Sequence, residues 1–160
     1  MFSLPSAAAL APALPPLRGS PLRSLLIVAG GGRDLNWSAT LVATELLCRS
    51  HGRPVQCLFH GGARGADAAI DAACSRLGWA VEVLLPQWSR YGRAAGPLRN
   101  RQMLQRACQL AIQAPQFPHP PLEVLVLAFP GGPGTASLLD QARRLQRRSD
   151  IPIELAQVQP

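Results

Sequence analysis

Lysine is absent from this sequence, and acidic residues are few. Sixteen arginines stand against nine Asp and Glu residues, which leaves a formal net charge of +7. GC-rich codon usage and selection for phosphate contacts both explain such an arginine bias, because a guanidinium grips phosphate with a planar, two-pronged fork. Composition alone leaves these two explanations open.

Paired cysteine motifs are also missing. Cys48, Cys57, Cys74 and Cys108 form no C-x-x-C pair and have no histidine at a spacing typical of zinc. Three of them fall in helical patterns and one in a strand pattern. We therefore expect reduced, buried thiols in a cytoplasmic protein, with no metal site and no identified cofactor.

No apolar run approaches the ~20 residues that cross a bilayer, so we expect no membrane partner. Residues 1–22 are rich in Ala, Leu and Pro, but their first positive charge, Arg18, follows the apolar stretch. That order and the interrupting prolines argue against a signal peptide. We predict a flexible N-terminal extension over residues 1–22 and one folded domain over residues 23–160.

The sequence does contain, three times, an apolar strand that runs into a glycine loop and a helix. Residues 124–129 lead into Pro-Gly-Gly-Pro-Gly-Thr, and two similar strands, 25–28 and 55–59, lead into the loops 29–34 and 60–67. Gly131, Gly132 and Gly134 allow positive φ and close backbone approach, and Thr135 is expected to cap the next helix. Phosphate binding at the helix start and a tight turn without a ligand are the two interpretations.

The remaining patterns complete an alternation of strands and helices. Helices are predicted over 36–50 with Asn36 as N-cap, 66–77, 97–111 and 135–148, and further strands over 81–85 and 151–158. This succession predicts an α/β fold with a doubly wound parallel sheet of about five strands in a single domain. The glycine loops then leave the carboxyl ends of strands and gather at one edge, where such sheets bind ligands.

Charge is distributed unevenly along the chain. No acidic residue stands between Glu82 and Glu123, a window that holds Arg90, Arg93, Arg99, Arg101 and Arg106. We interpret this window as part of an anion site, with Trp88 and Tyr91 available to stack on a base, and a solvated arginine face is the alternative. A second cluster, Arg143, Arg144, Arg147 and Arg148, is expected to be a solvated helix face.

Three further polar residues lie beside the glycine loops. Asp34 and Asp67 each follow such a loop, where a carboxylate contacts a ligand or caps a helix, and the sequence leaves both roles open. His60 is expected to be a structural hydrogen-bonding residue.

Four segments carry a resemblance to a known family. They are Gly31-Gly32-Arg33-Asp34, His60-Gly61-Gly62-Ala63-Arg64-Gly65-Ala66-Asp67, Ala95-Gly96-Pro97-Leu98-Arg99-Asn100 with Met103, and Pro130-Gly131-Gly132-Pro133-Gly134-Thr135. Together they resemble the YspA-like family of the SLOG superfamily. The resemblance covers about residues 24–158 and implies a Rossmann-like domain that binds a nucleotide or nucleotide-derived small molecule. Relatives of that superfamily include the Lonely Guy phosphoribohydrolases and the DNA-processing protein A.

The phosphoribohydrolases carry an Arg followed four residues later by Met, and a P-G-G-x-G-T-x-x-E motif whose Glu serves N-glycosidic cleavage. Arg99 and Met103 match the first element, but Leu138 stands where the motif has Glu. Asp140 is no substitute, because two further helical residues rotate a side chain by ~200°. Whether this chain is an enzyme stays open, with Arg99, Asp34 and Asp67 as the catalytic candidates.

The leading hypothesis is therefore a nucleotide-binding domain. Its alternatives are a nucleoside 5′-monophosphate phosphoribohydrolase and a weak, non-specific nucleic-acid binder, and homo-oligomerisation stays open. The predicted ligand and phosphate residues are Gly31, Gly32, Arg33, Gly61, Gly62, Arg64, Gly65, Asp67, Arg99, Asn100, Gly131, Gly132, Gly134 and Thr135.

Overall fold

A computed structural model describes residues 22–115 and 122–160, so nearly all of the predicted extension and residues 116–121 lie outside the described residues. The strands are β1 (Ser24–Gly30), β2 (Val55–His60), β3 (Val81–Val83), β4 (Leu122–Ala128) and β5 (Ile153–Gln157). The helices are α1 (Ala39–Ser50), α2 (Ala66–Leu77), the short α3 (Trp88–Tyr91), α4 (Ala95–Gln113) and α5 (Pro133–Gln146), and a 3₁₀ turn (Gly92–Ala94) joins α3 to α4.

All strand pairs in the sheet are parallel, in the order β3-β2-β1-β4-β5. The predicted α/β fold with a doubly wound sheet of five strands in one domain is confirmed, and the fold is Rossmann-like. β1 lies in the middle of the sheet, and the later strands extend the sheet outwards in both directions, which puts a topological switch point between β1 and β4.

The two central strands are buried on both faces. On one face Leu25 and Ile27 pack with α1 and α2, and on the other Leu26 and Val28 pack with α4 and α5. This arrangement explains why β1 and β4 read as unbroken apolar runs rather than as alternating patterns. The loops after both strands therefore start from the buried centre of the sheet.

The predicted start of α1 is wrong. Ser38, not Asn36, is its N-cap, and the Ser38 hydroxyl accepts a hydrogen bond of 3.1 Å from the Leu41 N–H. The inward face of α1 carries Val42 and Leu46, whereas Leu41 and Cys48, which their helical spacing predicts to share the inward face, are exposed. Neighbouring residues in a helix are ~100° apart, so the orientation that buries Val42 and Leu46 turns Leu41 and Cys48 towards solvent.

Other boundaries agree more closely. α2 ends at the left-handed Gly78, as its sequence predicts, and its Ala66, Ile70 and Ala73 are buried. β3 stops at Val83 rather than Leu85, and α4 starts two residues before Pro97.

Only two of the four cysteines are buried, which corrects the expectation for the group. Cys74 and Cys108 lie in the core, where burial raises the pKa of the Cys74 thiol to about 12. Cys57 is half-buried and Cys48 is exposed. Within residues 22–115 and 122–160, no three potential metal ligands of the His, Cys, Asp or Glu type cluster, and no helix is long and apolar enough to cross a membrane.

Candidate functional site

The carboxyl ends of β1, β2 and β4 open into a cavity of about 800 Å³, referred to below as the main cavity. Its walls are the loops after these strands and the first turns of α4 and α5. The cavity lies at the switch point between β1 and β4, where open α/β sheets bind their ligands. Its volume is in the range of about 300–1,000 Å³ that small-molecule pockets occupy.

Two of the glycine loops touch each other at the base of the main cavity. The Gly32 N–H donates to the Pro130 carbonyl at 2.9 Å. A Cβ on Gly131 would lie 2.6 Å from the Gly32 nitrogen, and one on Gly31 would lie 2.8 Å from the Phe129 Cβ. Glycine is required here by close approach of two backbones.

Positive φ plays no part in the loop after β4. Among the described glycines near the cavity, positive φ occurs only at Gly62 and Gly65 in the loop after β2, and at Gly92. Gly132 has φ −101°, and a Cβ there would meet nothing within 4 Å. The positive φ that glycine allows is therefore not used at Gly131, Gly132 or Gly134, whereas the close backbone approach is used at Gly131.

The start of α5 points into the main cavity. Gly132 is its N-cap and Pro133 its first residue, so the prediction of Thr135 as the cap is wrong. The first intrahelical bond runs from the Ala136 N–H to the Gly132 carbonyl at 3.0 Å. The peptide N–H groups of Gly134 and Thr135 precede that bond, and no acidic side chain stands in this first turn. The helix therefore presents free donors and positive potential to the cavity.

Arg99 enters the main cavity from α4, and Asn100 fixes its direction. The Arg99 Nε donates to the Asn100 Oδ1 at 3.1 Å, and the Asn100 Nδ2 donates to the Gly134 carbonyl at 3.1 Å. The guanidinium lies directly over Gly61, where any Cβ would collide with it. This chain of contacts links α4, the loop after β2 and the start of α5.

Asp67 lies behind Arg99 and is buried. Its Oδ2 accepts the Ala63 N–H at 3.1 Å and lies 3.9 Å from the Arg99 Nη1. Burial lowers the pKa of Arg99, the Asp67 carboxylate raises it, and the neighbouring Arg33 lowers it again. The Asp67 Oδ1 and the Arg99 Nη1 are both buried without a hydrogen-bond partner within the described residues. Buried polar groups are rarely left unpaired, and such exceptions often mark a functional site.

One aromatic ring and one further guanidinium close the main cavity on its β2 side. The guanidinium of Arg33 lies over the Trp88 indole, 5.3 Å from the ring centroid, and both residues line the cavity. Tyr91 does not line the main cavity, and the guanidinium of Arg90 lies over its ring, 5.0 Å from the centroid. Of the two predicted stacking rings, the structure brings only Trp88 to the site.

The arginine-rich window contributes only part of its charge. Arg93 and Arg99 line the main cavity, whereas Arg106 pairs with Glu82 at 3.0 Å and lies elsewhere. Arg90 and Arg101 are exposed and do not line it either. The arginines between Glu82 and Glu123 are therefore close in sequence but lie in different parts of the structure, and of the five only Arg93 and Arg99 line the main cavity.

The predicted residues of the loop after β2 divide between two places. Asp67 lines the main cavity, Gly62 and Arg64 line a second, adjoining cavity, and Gly61 lines both. Gly65 lines neither cavity. It is the N-cap of α2, where it adopts a positive φ of 74°. Arg64 is largely exposed and pairs at 3.2 Å with the equally exposed Asp34.

Leu138 forms part of the apolar floor of the main cavity. It is buried and belongs to the same core cluster as Val28, Phe59 and Met103. Ser137 and Leu35 also line the main cavity, and neither is among the site residues that the sequence predicts. For Ser137, the sequence feature that indicates a place at the site is its position near the start of α5, directly after the glycine loop.

His60 is a structural residue, as its position at a strand end predicts. The Nδ1 accepts the Gly62 N–H at 3.1 Å, so the Nε2 carries the hydrogen that faces the Asp71 carboxylate at 2.9 Å. The ring thereby holds the loop after β2 in shape. The arginines on the late turns of α5 and after it are exposed, as expected.

No protein-family model matches the chain, and comparisons with curated proteins and with solved structures found no match.

Proposed function

We propose that this chain binds a nucleotide or nucleotide-derived small molecule in the main cavity. The observation that carries the proposal is Arg99, a guanidinium with a side chain only 15% exposed and one nitrogen left without a partner. It lies at a switch point beside a helix start that has free N–H groups. A phosphate supplies hydrogen-bond acceptors to the helix N–H groups and to Arg99, whose contact with the Asp67 carboxylate is 3.9 Å long.

The cavity offers a partner for each part of such a ligand. Phosphate oxygens accept hydrogen bonds from the N–H groups of Gly134 and Thr135 and from Arg99. The apolar floor around Leu138 and the face of Trp88 suit the sugar and the base. Asn100 holds Arg99 in direction, so little side-chain entropy is lost on binding.

The resemblance to the YspA-like family of the SLOG superfamily supports the same proposal, because nucleotide-derived ligands are expected for that group. We extend the proposal to a cytoplasmic place of action. Binding without turnover is favoured over the phosphoribohydrolase alternative, since an apolar Leu138 lines the floor where the hydrolase motif has a carboxylate. Asp67 is already engaged by the Ala63 N–H and Arg99.

The experiment is to denature the purified protein, identify the released small molecules by mass spectrometry, and titrate the identified nucleotide calorimetrically. Arg99→Ala is compared with Arg147→Ala, which removes an exposed arginine from the opposite end of α5. Losing a charged hydrogen bond costs about 1.5–3 kcal/mol, whereas an exposed arginine contributes about 0–1 kcal/mol. Equal affinities of the two variants would contradict the placement of the phosphate.

A further inference from the structure

A second cavity of about 520 Å³, called the annex below, adjoins the main cavity on the side of β2 and β3. The two cavities share Arg33, Trp88 and Arg99. The annex adds Arg64 and Leu85. The guanidinium of Arg99 and the indole of Trp88 therefore stand at the junction and face both cavities.

The annex is strongly positive. Arg33, Arg64 and Arg99 line it, and no carboxylate does so within the described residues. Arg64 has a carboxylate partner, Asp34, but both side chains are largely exposed at 77% and 92%, so water and an incoming anion readily replace that pair. Burial lowers the pKa of Arg99, the Asp67 carboxylate behind it raises that pKa, and Arg33 lowers it again, so the guanidiniums of Arg33 and Arg99 repel each other. An anionic ligand at the junction relieves this repulsion.

One wall of the annex is apolar and open to solvent. Leu85 is 65% exposed and Trp88 46% exposed, and Pro86 lies between them in sequence. β3, which leads into this wall, is an edge strand of only three residues. An exposed apolar surface beside three guanidiniums suits a flat ring that carries a phosphate, because the ring covers the apolar atoms while the phosphate pairs with arginine.

We infer that the ligand is a dinucleotide-like molecule with two phosphate groups, whose second phosphate and second ring occupy the annex. The inference rests on the proposed function, which puts the first phosphate at Arg99 and the start of α5. A mononucleotide in the main cavity leaves Arg64 paired only with the exposed Asp34 and leaves Leu85 uncovered. A ligand that passes the junction pairs with Arg64 and buries the Leu85 side chain.

The experiment compares ligands that differ only in the second half. The four ribonucleoside 5′-monophosphates and the matching 5′-phosphorylated homodinucleotides are titrated into the full chain by calorimetry. We expect the dinucleotide of at least one base to bind about tenfold or more tightly than its monophosphate, because it adds a charged contact and a buried ring. The advantage should fall with rising salt, since it includes phosphate pairing.

Two matched pairs of variants locate the second half. Leu85→Glu puts a negative charge on the annex wall, and Ile112→Glu makes the same change at a side chain that is also 65% exposed but lines neither cavity. Arg64→Ala removes an annex arginine, and Arg148→Ala removes an exposed arginine beyond α5. The dinucleotide advantage should shrink to a few fold or less in the two annex variants and stay at the wild-type ratio in the two controls.

The outcomes separate this inference from the function on which it rests. Monophosphate binding with no dinucleotide advantage, or an equal loss of that advantage in Leu85→Glu and Ile112→Glu, would overturn the annex while the proposed function stands. If no mononucleotide and no dinucleotide binds, the proposed function fails and the inference fails with it.

Discussion

The buried aspartate behind Arg99 gives the sharpest test of how the site is built. Asp67→Asn removes one negative charge but keeps a side-chain oxygen that accepts the Ala63 N–H. The change therefore isolates the electrostatic role of the carboxylate from its role in shaping the loop. We expect the variant to be less stable without a ligand and to gain more stability from an anion than the wild type does.

The size of the effect follows from the geometry. At the 3.9 Å between the Asp67 Oδ2 and the Arg99 Nη1, the attraction is about 4 kcal/mol for an effective dielectric constant of about 20. The substitution leaves the buried Arg99 guanidinium without its carboxylate partner, and breaking a buried pair in this way costs about 3–5 kcal/mol. For a chain of this size that loss lowers the Tm by about 6–20 °C.

Thermal melts with and without excess inorganic phosphate measure both effects. Phosphate should raise the Tm of Asp67→Asn more than that of the wild type, because the anion replaces the missing charge beside Arg99. Asp140→Asn is the control, since Asp140 also pairs with an arginine, Arg144, but on an exposed face where such pairs contribute about 0–1 kcal/mol. Equal melting of the two variants, or a smaller phosphate effect in Asp67→Asn than in the wild type, would refute this reasoning.

Two further predictions concern the loop after β4 and the core. Gly131→Ala should lower the Tm and weaken nucleotide binding in titration, because its Cβ would collide with the loop after β1. Gly132→Ala is the control, since a Cβ at Gly132 meets open space and the variant should fold normally. Comparable melting temperatures of the two variants would contradict the close packing at Gly131. For Cys74, burial raises the pKa to about 12, so above pH 9 the unfolded chain forms thiolate while the native state does not. Stability should therefore fall as the pH rises from 9 towards 12, by up to about 1.4 kcal/mol per pH unit, and urea unfolding of Cys74→Ala should show a shallower fall.

Several features of the fold follow from local sequence. The apolar runs before the glycine loops have no polar face, so they form strands that must be covered on both sides, as β1 and β4 are. Gly78 ends α2 where its freedom at positive φ predicts. The start of α1 could not be settled in this way, because Asn36 and Ser38 are both good caps, and the choice depends on which face of the helix meets the sheet.

The features of the candidate site divide in the same way, into those that the sequence predicts and those that depend on the packing of distant segments. The sequence by itself determined that three glycine loops leave the carboxyl ends of parallel strands and that Arg99 lies near the start of a helix beside them, because both properties follow from residue order along an alternating chain. Tertiary structure alone decided that Asp67 stands behind Arg99, that Trp88 and not Tyr91 faces the cavity, and that Gly131 is needed for contact with Gly32. These are distances between segments far apart in the chain, and such distances depend on how helices pack across the sheet, which local propensity does not specify.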